Sequence, residues 1–473
     1  MSAAPAIHDY LVAHEQALAA ELMRWVAIPS VAGDPELTKA VTWSAAELAA
    51  MCREAGFPVV ERWAQGDGHA VYAEWVTDAS RPTVFVYSHH DVRAVKHELW
   101  RETDPFTPVE RAGRVFGRGA SDAKGQVLAH LWGLRAHLAA SGLDEPAVNL
   151  KLLIEGEEEL GSPNLAGLLD EHRDRLDADL IVFTDTMLLD AEHPAVSLSI
   201  RGMVGASLTV FGPQHDVHSG AVSGAAPDPT LILARTLAGL CGDDGRVTLP
   251  GFYDDVEAHE DLRAELGRLP FDEADWVERS RTDRVVGEAG YTVPERLWIR
   301  PALEVIEIRA GDVDGQPRAV IPRSATASIS IRLVDAQRPE KVAEQLDRWL
   351  AERMPRAQWS LEVTLDTAGP PYRTPHDHPA VLALAEAMAE GWDVPVEQVG
   401  RMGNGGGGPA DLLARVLDAP VVFFGTGLVE DHWHAPDESV SLDVLRRGAA
   451  TVAAWLPRLA RVLAGDARRR GTS

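Results

Sequence analysis

Cysteine is almost absent from this chain, since only Cys52 and Cys241 occur among 473 residues. Two thiols are too few for a disulfide framework or for a zinc site built from thiolates. Any bound metal must therefore take histidine and carboxylate ligands. Residues 1–30 lack a cationic start followed by an apolar core, and no apolar run approaches the length of a membrane span. We expect a cytoplasmic protein.

Basic residues are also scarce relative to acidic ones. Lys and Arg total 45 against 72 Asp and Glu, which leaves a formal net charge of −27. Such a chain repels phosphate backbones and anionic lipids, so we expect neither a nucleic-acid partner nor a membrane partner. A length of 473 residues exceeds the usual size of a single hydrophobic core, which predicts two domains.

Apolar segments of strand length alternate with helical patterns over the first 200 residues. Residues 83–87, 149–154 and 180–183 are typical of buried strands, and residues 127–138 carry leucines at helical spacing. This alternation predicts an α/β fold with a doubly wound, largely parallel sheet. In such sheets, ligands bind outside the carboxyl ends of the strands.

From about residue 201 the pattern changes to that of an open-faced α+β domain. Strands are predicted at 206–211, 303–309, 325–333 and 360–365, with helices near 228–240 and 339–354, whereas residues 242–301 are acidic and give no clear pattern. A helical pattern resumes near 380, followed by a buried strand at 420–424. We therefore predict one discontinuous domain of residues 1–200 and 370–473, with residues 201–369 inserted into it.

Four acidic residues lie within five positions at 155–159, directly after the strand predicted at 149–154. Burying such like charges is costly unless positive charge lies opposite them. A solvated acidic loop is the alternative interpretation. No cluster of Lys or Arg lies nearby in the sequence. A bound metal ion is therefore a candidate for the positive charge.

Other polar residues follow apolar strands in the same way. His89 and Asp91 follow the run at 83–87, and Asp185 follows the run at 180–183. A pair of zinc ions needs a bridging carboxylate and about two further ligands each, drawn from histidine nitrogens and carboxylate oxygens. The residues at these strand ends are of the required types.

Two further segments complete such a set of ligands. Asp122 lies in the glycine-rich turn at 117–125, which precedes a helical pattern. One more histidine is still required, and the segment 431–438 can supply it through His432 or His434. The sequence therefore favours a two-metal site.

Five motifs occur in the order found in the co-catalytic di-zinc metallopeptidase superfamily. They are Ser88-His89-His90-Asp91-Val92, Gly117-Arg118-Gly119-Ala120-Ser121-Asp122, Glu155-Gly156-Glu157-Glu158-Glu159, Thr184-Asp185 and His434-Ala435-Pro436-Asp437-Glu438. The chain resembles this superfamily, which includes aminoacylase, carboxypeptidases and carnosinase-like enzymes. It is most similar to the dipeptidase branch, because of Asp216-Val217-His218-Ser219-Gly220 and Val320-Ile321-Pro322-Arg323.

The resemblance implies two Zn2+ ions per subunit, with Mn2+ or Co2+ able to substitute. His89 and Asp185 would bind one zinc, Glu159 and His434 the other, and Asp122 would bridge them. His434 is favoured over His432 as the ligand, because His434 is the residue directly followed by Ala-Pro-Asp-Glu. Residues 1–200 and 370–473 would form the catalytic domain, and residues 201–369 a lid and dimerisation domain.

The resemblance also implies three catalytic roles. Asp91 would orient the ring of His89, and Glu158 would be the general base for a hydroxide that bridges the zinc ions. His218 would reach the active site of the partner subunit in a homodimer and stabilise the oxyanion. A purely structural role is the alternative for His218.

Substrate binding is implied for two arginines and a glycine loop. Arg323 would bind the C-terminal carboxylate of the substrate through its planar guanidinium. Arg401 and the loop at 403–408, which includes Gly406 and Gly407, resemble a carboxylate-binding turn built from backbone N–H groups. The family often carries a serine in this loop and a second Asp after the bridging one, whereas this chain has only glycines at 405–408 and Ala123.

We therefore expect a homodimeric di-zinc metallopeptidase that hydrolyses dipeptides or short peptides with a free C-terminal carboxylate. An amidohydrolase of N-acyl or N-carbamoyl amino acids on the same scaffold is the alternative. A catalytically inactive metal-binding protein is a third hypothesis. The presence of Glu158 argues against the third, because an inactive relative has no use for a general base.

Overall fold

The computed structural model describes residues 4–66, 68–311, 315, 318–364 and 369–470. Its α-helices are α1 (Ala4–Val26), α2 (Thr38–Glu54), α3 (Gln126–Ser141), α4 (Leu165–Glu171), α5 (Ser219–Val222), α6 (Pro229–Ala238), α7 (Glu260–Leu266), α8 (Glu273–Arg279), α9 (Val293–Trp298), α10 (Pro339–Arg353), α11 (Pro379–Trp392), α12 (Ala410–Leu417) and α13 (Leu442–Arg470). Its strands are β1 (Val59–Gln65), β2 (Gly68–Trp75), β3 (Thr83–His89), β4 (Val109–Arg111), β5 (Arg114–Phe116), β6 (Asn149–Glu155), β7 (Leu180–Phe183), β8 (Ala195–Ile200), β9 (Gly202–Phe211), β10 (Val217–His218), β11 (Ala302–Ala310), β12 (Val320–Ile321), β13 (Ser324–Leu333), β14 (Trp359–Thr364), β15 (Tyr372–Arg373), β16 (Gly400–Asn404), β17 (Val421–Phe423) and β18 (Ser439–Ser441).

The larger sheet has the strand order β1-β2-β6-β3-β7-β17-β8-β15, and β16 pairs with β8. Its centre, β6-β3-β7-β17, is parallel. Every residue of β3, β6 and β7 is buried, because both faces of these apolar strands are covered. The predicted α/β fold with a largely parallel sheet is confirmed.

Helices cover both faces of this sheet. Val84 and Val86 of β3 pack into one core with α1, α3, α11 and α13, whereas Phe85 and Tyr87 pack into a second core with α4 and α12. Successive side chains of a strand point to opposite faces, so one continuous apolar run serves both cores. The sheet is therefore doubly wound, as predicted.

The smaller sheet has the order β11-β13-β9-β14, with every pairing antiparallel. Strands β9 and β13 alternate between buried and partly exposed residues, and α6 and α10 contribute to the core on the buried face. The strands predicted at 206–211, 303–309 and 325–333 are confirmed. The strand predicted at 360–365 corresponds to β14, and residue 365 lies outside the described residues.

The acidic segment 242–301, which gave no clear sequence pattern, contains the short helices α7, α8 and α9. Its residues Leu266, Trp298 and Ile299 form a small apolar cluster with Leu189 and Met402. Helices of six or seven residues carry too few turns for a clear amphipathic period, which explains why the sequence did not reveal them.

The strands of the larger sheet come from residues 59–200 and 372–423, and those of the four-stranded sheet from residues 202–364. The proposed division of the chain at residues 201 and 370 stays a prediction. In the described part of the chain, no helix is both long enough and apolar enough to span a membrane.

Candidate metal centre and active site

The predicted metal ligands lie at the carboxyl edge of the parallel strands. His89 is the last residue of β3, and Asp185 and Glu159 lie in the turns that follow β7 and β6. Because β6, β3 and β7 are adjacent and parallel, these turns meet at one edge of the sheet. Asp122 comes from the turn before α3, and His434 from the segment between β17 and β18.

The structure brings the five residues together in two groups whose geometry can hold a metal ion. One group is His89, Asp122 and Asp185, and the other is Asp122, Glu159 and His434. Within each group the donor atoms lie within 4.8 Å of one another. Asp122 belongs to both groups, which is the arrangement that a bridging carboxylate requires.

In the first group, the carboxylates of Asp122 and Asp185 both lie close to the ring of His89. Its Nε2 lies 3.2 Å from Asp122 Oδ1 and 3.9 Å from Asp185 Oδ2. The other oxygen of Asp185, Oδ1, accepts a hydrogen bond of 3.4 Å from the Gln126 amide. Imidazole nitrogen with two carboxylates is a donor set that suits zinc.

The second group contains a buried oxygen that the protein leaves without a hydrogen bond. His434 Nε2 lies 3.0 Å from Asp122 Oδ2 and 3.2 Å from Glu159 Oε2. Among the described residues, Asp122 Oδ2 nevertheless has no hydrogen-bond partner. A buried carboxylate oxygen of this kind is costly unless a cation binds it, so the residues present fit a metal ion.

The electrostatics of the two groups also favour cations. Burial and the charge of Asp122 raise the pKa of Asp185 to about 7, with His89 opposing the shift. Burial lowers the pKa of His434, but the nearby carboxylates of Asp122 and Glu159 outweigh it and raise the pKa to about 10. Both shifts indicate excess negative charge, which a divalent cation would neutralise.

Asp91 connects the ring of His89 to the acidic turn. Its carboxylate accepts hydrogen bonds from the backbone N–H groups of Glu158 at 3.2 Å and Glu159 at 3.0 Å. The same carboxylate lies 3.4 Å from His89 Nδ1, on the opposite side of the ring from Asp122. This geometry supports the orienting role predicted for Asp91.

Glu438 holds the turn that carries Asp122, a role that the sequence analysis did not assign. Its Oε1 accepts hydrogen bonds of 3.0 Å from the backbone N–H groups of both Ser121 and Asp122. Its Oε2 accepts hydrogen bonds from the Gly119 N–H at 3.1 Å and from the Arg118 guanidinium at 2.5 Å. Glu438 and Arg118 are both buried, so this ion pair is shielded from water.

Glu158 lines the cavity beside the two groups and belongs to neither. Burial raises its pKa well above the ordinary value, and the charges of Asp185 and Glu159 add to the shift against His89. Cations bound beside it would lower that pKa again. A carboxyl group placed near the reacting atoms, but outside the ligand set, is suited to proton transfer.

The other two glutamates of the acidic stretch make structural contacts. Glu155 is fully buried, and its carboxylate accepts hydrogen bonds from the hydroxyl groups of Tyr87 and Ser162. Glu157 accepts a hydrogen bond of 2.8 Å from the side-chain amide of Asn164. The stretch therefore combines two buried anchors with the two residues that face the cavity.

His90 and His432 lie outside both groups formed by the described residues. His90 Nε2 is 2.8 Å from the backbone oxygen of His69, and burial lowers the pKa of His90 to about 4. Burial also lowers the pKa of His432, with the charge of Arg281 adding to the effect. The structure thus places His434, rather than His432, beside Asp122 and Glu159.

A cavity of about 470 Å3 opens beside the candidate metal centre. Its lining consists of Arg93, Asp122, Glu158, Glu159, Gly161, Ser162, Asp185, Met187, Leu188, Leu189, Met203, Phe271, Trp276, Leu297, Trp298, Arg332, Met402, Asn404, Gly405, Gly406, Gly407, Gly408, Pro409, Val429, Trp433 and His434. Gly406 and Gly407 thus lie where substrate binding was predicted. The volume suits a small ligand such as a dipeptide.

His218, Arg323 and Arg401 do not line this cavity. His218 and Arg323 are exposed, and the Arg323 N–H donates a hydrogen bond of 3.0 Å to Asp216. The guanidinium of Arg401 lies 3.7 Å from the carboxylate of Glu265. The roles predicted for these three residues stay predictions, and those of His218 and Arg323 require another copy of the chain or a domain movement.

Arg332 lines the cavity and was not among the predicted residues. Its charge, together with that of Arg201, opposes the rise that burial causes in the pKa of Glu304, so Glu304 lies within electrostatic reach of Arg332. Arg332 is the single charged residue in the alternating strand β13. It lies on the partly exposed face of β13, whose other residues are Ser and Thr, so its charge alone did not mark it as functional.

Comparison with known proteins agrees with this geometry. Residues 85–458 match the sequence profile described as Peptidase family M20/M25/M40. The chain belongs to this family. The resemblance to metallopeptidases predicted from the five motifs is thereby confirmed.

Relatives of this peptidase carry dipeptidase names. It is 28% identical to the probable di- and tripeptidase DUG2 of Saccharomyces cerevisiae over 82% of this chain but only 43% of that protein, so it spans less than half of that relative. It is 28% identical to the cysteinylglycine-S-conjugate dipeptidase of Corynebacterium striatum over 88% of this chain and 89% of that protein. The crystal structure of human carnosine dipeptidase 1 matches with a TM-score of 0.84 and 25% identity, covering 98% of this chain and 99% of that chain.

Proposed function

We propose that this peptidase is a di-zinc dipeptidase that hydrolyses the peptide bond of dipeptides or very short peptides with a free C-terminal carboxylate. The observation that carries the proposal is Asp122, which is shared by two groups of metal-binding geometry at the wall of a dipeptide-sized cavity. The dipeptidase names of its relatives support this substrate class over N-acyl or N-carbamoyl amino acids.

Each candidate residue has a defined task in this reaction. His89, Asp122, Asp185, Glu159 and His434 would hold two Zn2+ ions, which supply Lewis-acid polarisation of the scissile carbonyl and a lowered pKa for water. Glu158 accepts the proton of the attacking water and donates it to the leaving amine. Asp91 keeps the ring of His89 and the backbone of the acidic turn in place.

Metal loading followed by hydrolysis tests the proposal. We expect about two zinc ions per chain at saturation, and cleavage of dipeptides by the loaded protein but not after chelation. A panel of dipeptides, N-acetyl amino acids and N-carbamoyl amino acids separates the substrate classes. Cleavage of the acylated amino acids alone, or a single tightly bound ion, would contradict the proposal.

We assign recognition of the substrate carboxylate to Arg332 in place of Arg323. Arg332 lines the cavity, whereas Arg323 does not. Burial, and after it the charge of Arg332, lower the pKa of the neighbouring Arg201 to about 10 while Glu304 opposes the shift, so Arg201 and Arg332 lie near each other. Arg201 also donates a hydrogen bond of 2.9 Å to the Gly405 carbonyl, so the glycine loop borders the same region. A carboxylate bound here would relieve the repulsion between the two guanidinium groups.

Replacing Arg332 with methionine is expected to lower kcat/KM for a free dipeptide by about 10–150-fold, the value of a charge-assisted hydrogen bond. C-terminally amidated dipeptides should be cleaved equally by both proteins, because they carry no carboxylate. Arg356→Met is the matched control, since its guanidinium is exposed and pairs with Asp347 outside the cavity lining. An unchanged preference for the acid over the amide in Arg332→Met would remove this assignment.

We further propose that residues 201–369 form a separate domain through which the chain forms a homodimer. Strand β11 lies at an edge of the smaller sheet and exposes 40% of Val305, 66% of Ile306 and 56% of Ile308. An edge strand with exposed apolar residues is a template for pairing with a second chain. Such a dimer would also give His218 a site to reach in the partner subunit, as the resemblance implies.

The mass of the protein in solution tests this dimer. Ile306→Asp should shift the protein toward monomer in light-scattering measurements, because a buried interface would then contain an unpaired charge. Trp43→Asp, which alters an exposed aromatic residue of α2, is the control and should leave the mass unchanged. A wild-type protein that is monomeric and fully active would contradict both the dimer and a role for His218 in the partner's site.

A further inference from the structure

One wall of the catalytic cavity is apolar. It comprises Leu189, Phe271, Trp276, Leu297, Trp298 and Met402, and we call it the apolar wall. Four of these residues come from the segment 242–301, in which the sequence showed no pattern. A concave apolar surface beside a few polar groups is the usual form of a small-molecule subsite.

The apolar wall is fixed by packing rather than formed by loose side chains. Leu189, Trp298 and Met402 are buried in a small hydrophobic cluster, and Phe271 and Leu297 pack against it. Phe271, Trp276 and Leu297 nevertheless keep part of their surface exposed. That surface is available for contact with a substrate, and burying it would contribute to binding.

The helix that carries Trp276 is joined to the segment that contains His434 by an ion pair. Arg279, one turn further along α8, lies 3.3 Å from the carboxylate of Glu430. Glu430 lies four residues before the candidate ligand His434, in the same segment between β17 and β18. The ion pair therefore connects α8 to the segment that supplies a metal ligand.

The two arginines that line the cavity already have partners or assigned roles. Among its described lining residues, Arg93 and Arg332 are the charged residues other than the metal groups and Glu158. Arg93 pairs with Glu159 at 2.7 Å, and Arg332 is assigned above to the carboxylate terminus. A second charged group in the cavity would lose its hydration without gaining an opposite charge.

We propose that the apolar wall is a specificity subsite for a large aliphatic or aromatic side chain of the substrate. Dipeptides with leucine, methionine or phenylalanine would therefore be preferred over those whose side chains are all small or charged. The inference rests on the proposed dipeptidase function and names the substrate class within it.

A dipeptide panel on the zinc-loaded enzyme tests the inference. The panel contains Ala-Ala and its derivatives with Leu, Phe, Asp or Lys at one position at a time. We expect kcat/KM to be roughly 10–100-fold higher for Leu or Phe, at one of the two positions, than for Ala, Asp or Lys there. Preference at either position supports the subsite, and equal rates across the panel would overturn it. No cleavage of any dipeptide, including Ala-Ala, would instead overturn the proposed function itself.

Substitution then locates the preference in the structure. Trp276→Ala should lower kcat/KM for the preferred substrate by roughly tenfold or more, and for Ala-Ala by less than about threefold, because only the larger side chain reaches the wall. Trp43→Ala removes an exposed indole from α2 and should change neither value. Equal losses on both substrates would show a general structural role for Trp276 and would overturn its place in the subsite. If the Trp276 variant does not fold, the panel on the unmodified enzyme still decides the proposal.

Discussion

Replacing Glu158 with glutamine is expected to lower kcat by about 10²–10⁴-fold, the range attributed to general acid–base catalysis by a positioned side chain. The substitution keeps the size of the side chain but removes its ability to accept and return a proton. KM and zinc content should stay close to those of the unmodified enzyme, because Glu158 belongs to neither metal group. Steady-state kinetics and metal analysis on the same preparation measure all three quantities.

Glu157→Gln is the matched control for this experiment. It makes the same chemical change at the neighbouring residue, whose carboxylate faces the Asn164 amide instead of lining the cavity. We expect kcat to stay within a few-fold of the unmodified value. A Glu158→Gln variant that keeps more than about a tenth of kcat would exclude Glu158 as the general base, and loss of zinc from that variant would identify it as a ligand.

The sequence predicted those parts of the site that depend on strand ends. A parallel strand brings its carboxyl end to a known edge of the sheet, so His89 and Asp185 could be placed together without a structure. The acidic stretch after β6 was located by the same rule. The division of the stretch into buried and cavity-facing glutamates could not be predicted. It depends on side chains outside the stretch, namely Tyr87 on the neighbouring strand and Asn164 after it.

Other parts of the site depend on the arrangement of elements that are far apart in the sequence. Arg332 lies in a strand of the smaller sheet, and its position beside the glycine loop follows from how the two sheets face each other. The motif that drew attention to Arg323 lies only a few residues earlier and outside the cavity lining. Trp276 was missed for a different reason, because α8 has only seven residues and a weak periodic signal.

Glu438 is a further residue whose role became visible only in three dimensions, and its removal should have a large effect. Four donors converge on its carboxylate, and one of them is the buried guanidinium of Arg118. Glu438→Ala would leave that charge unpaired and three backbone N–H groups without an acceptor. Breaking a buried ion pair in this way costs about 3–5 kcal/mol, so we expect a loss of stability of that size.

The same substitution should weaken metal binding, because two of the donors are the backbone N–H groups of Ser121 and Asp122. Loss of groups that orient a metal ligand lowers metal affinity by about 10–100-fold. Urea unfolding of the metal-free protein measures the stability, and zinc titration against a competing chelator measures the affinity. Glu102→Gln is the control, because it alters an exposed carboxylate that pairs with Arg111, and exposed pairs contribute about 0–1 kcal/mol.

The double variant Arg118→Met/Glu438→Met separates the two effects of Glu438. Removing both charges takes away the unpaired guanidinium, so the part of the stability loss that comes from that charge should return, whereas the part that comes from the three N–H groups without an acceptor should remain. Zinc affinity should stay low, because methionine still gives the N–H of Asp122 no acceptor. If the double variant regains zinc affinity together with stability, Glu438 acts on the metal site only through the ion pair. If Glu438→Ala is as stable as Glu102→Gln, the buried pair between Glu438 and Arg118 does not hold the Asp122 turn.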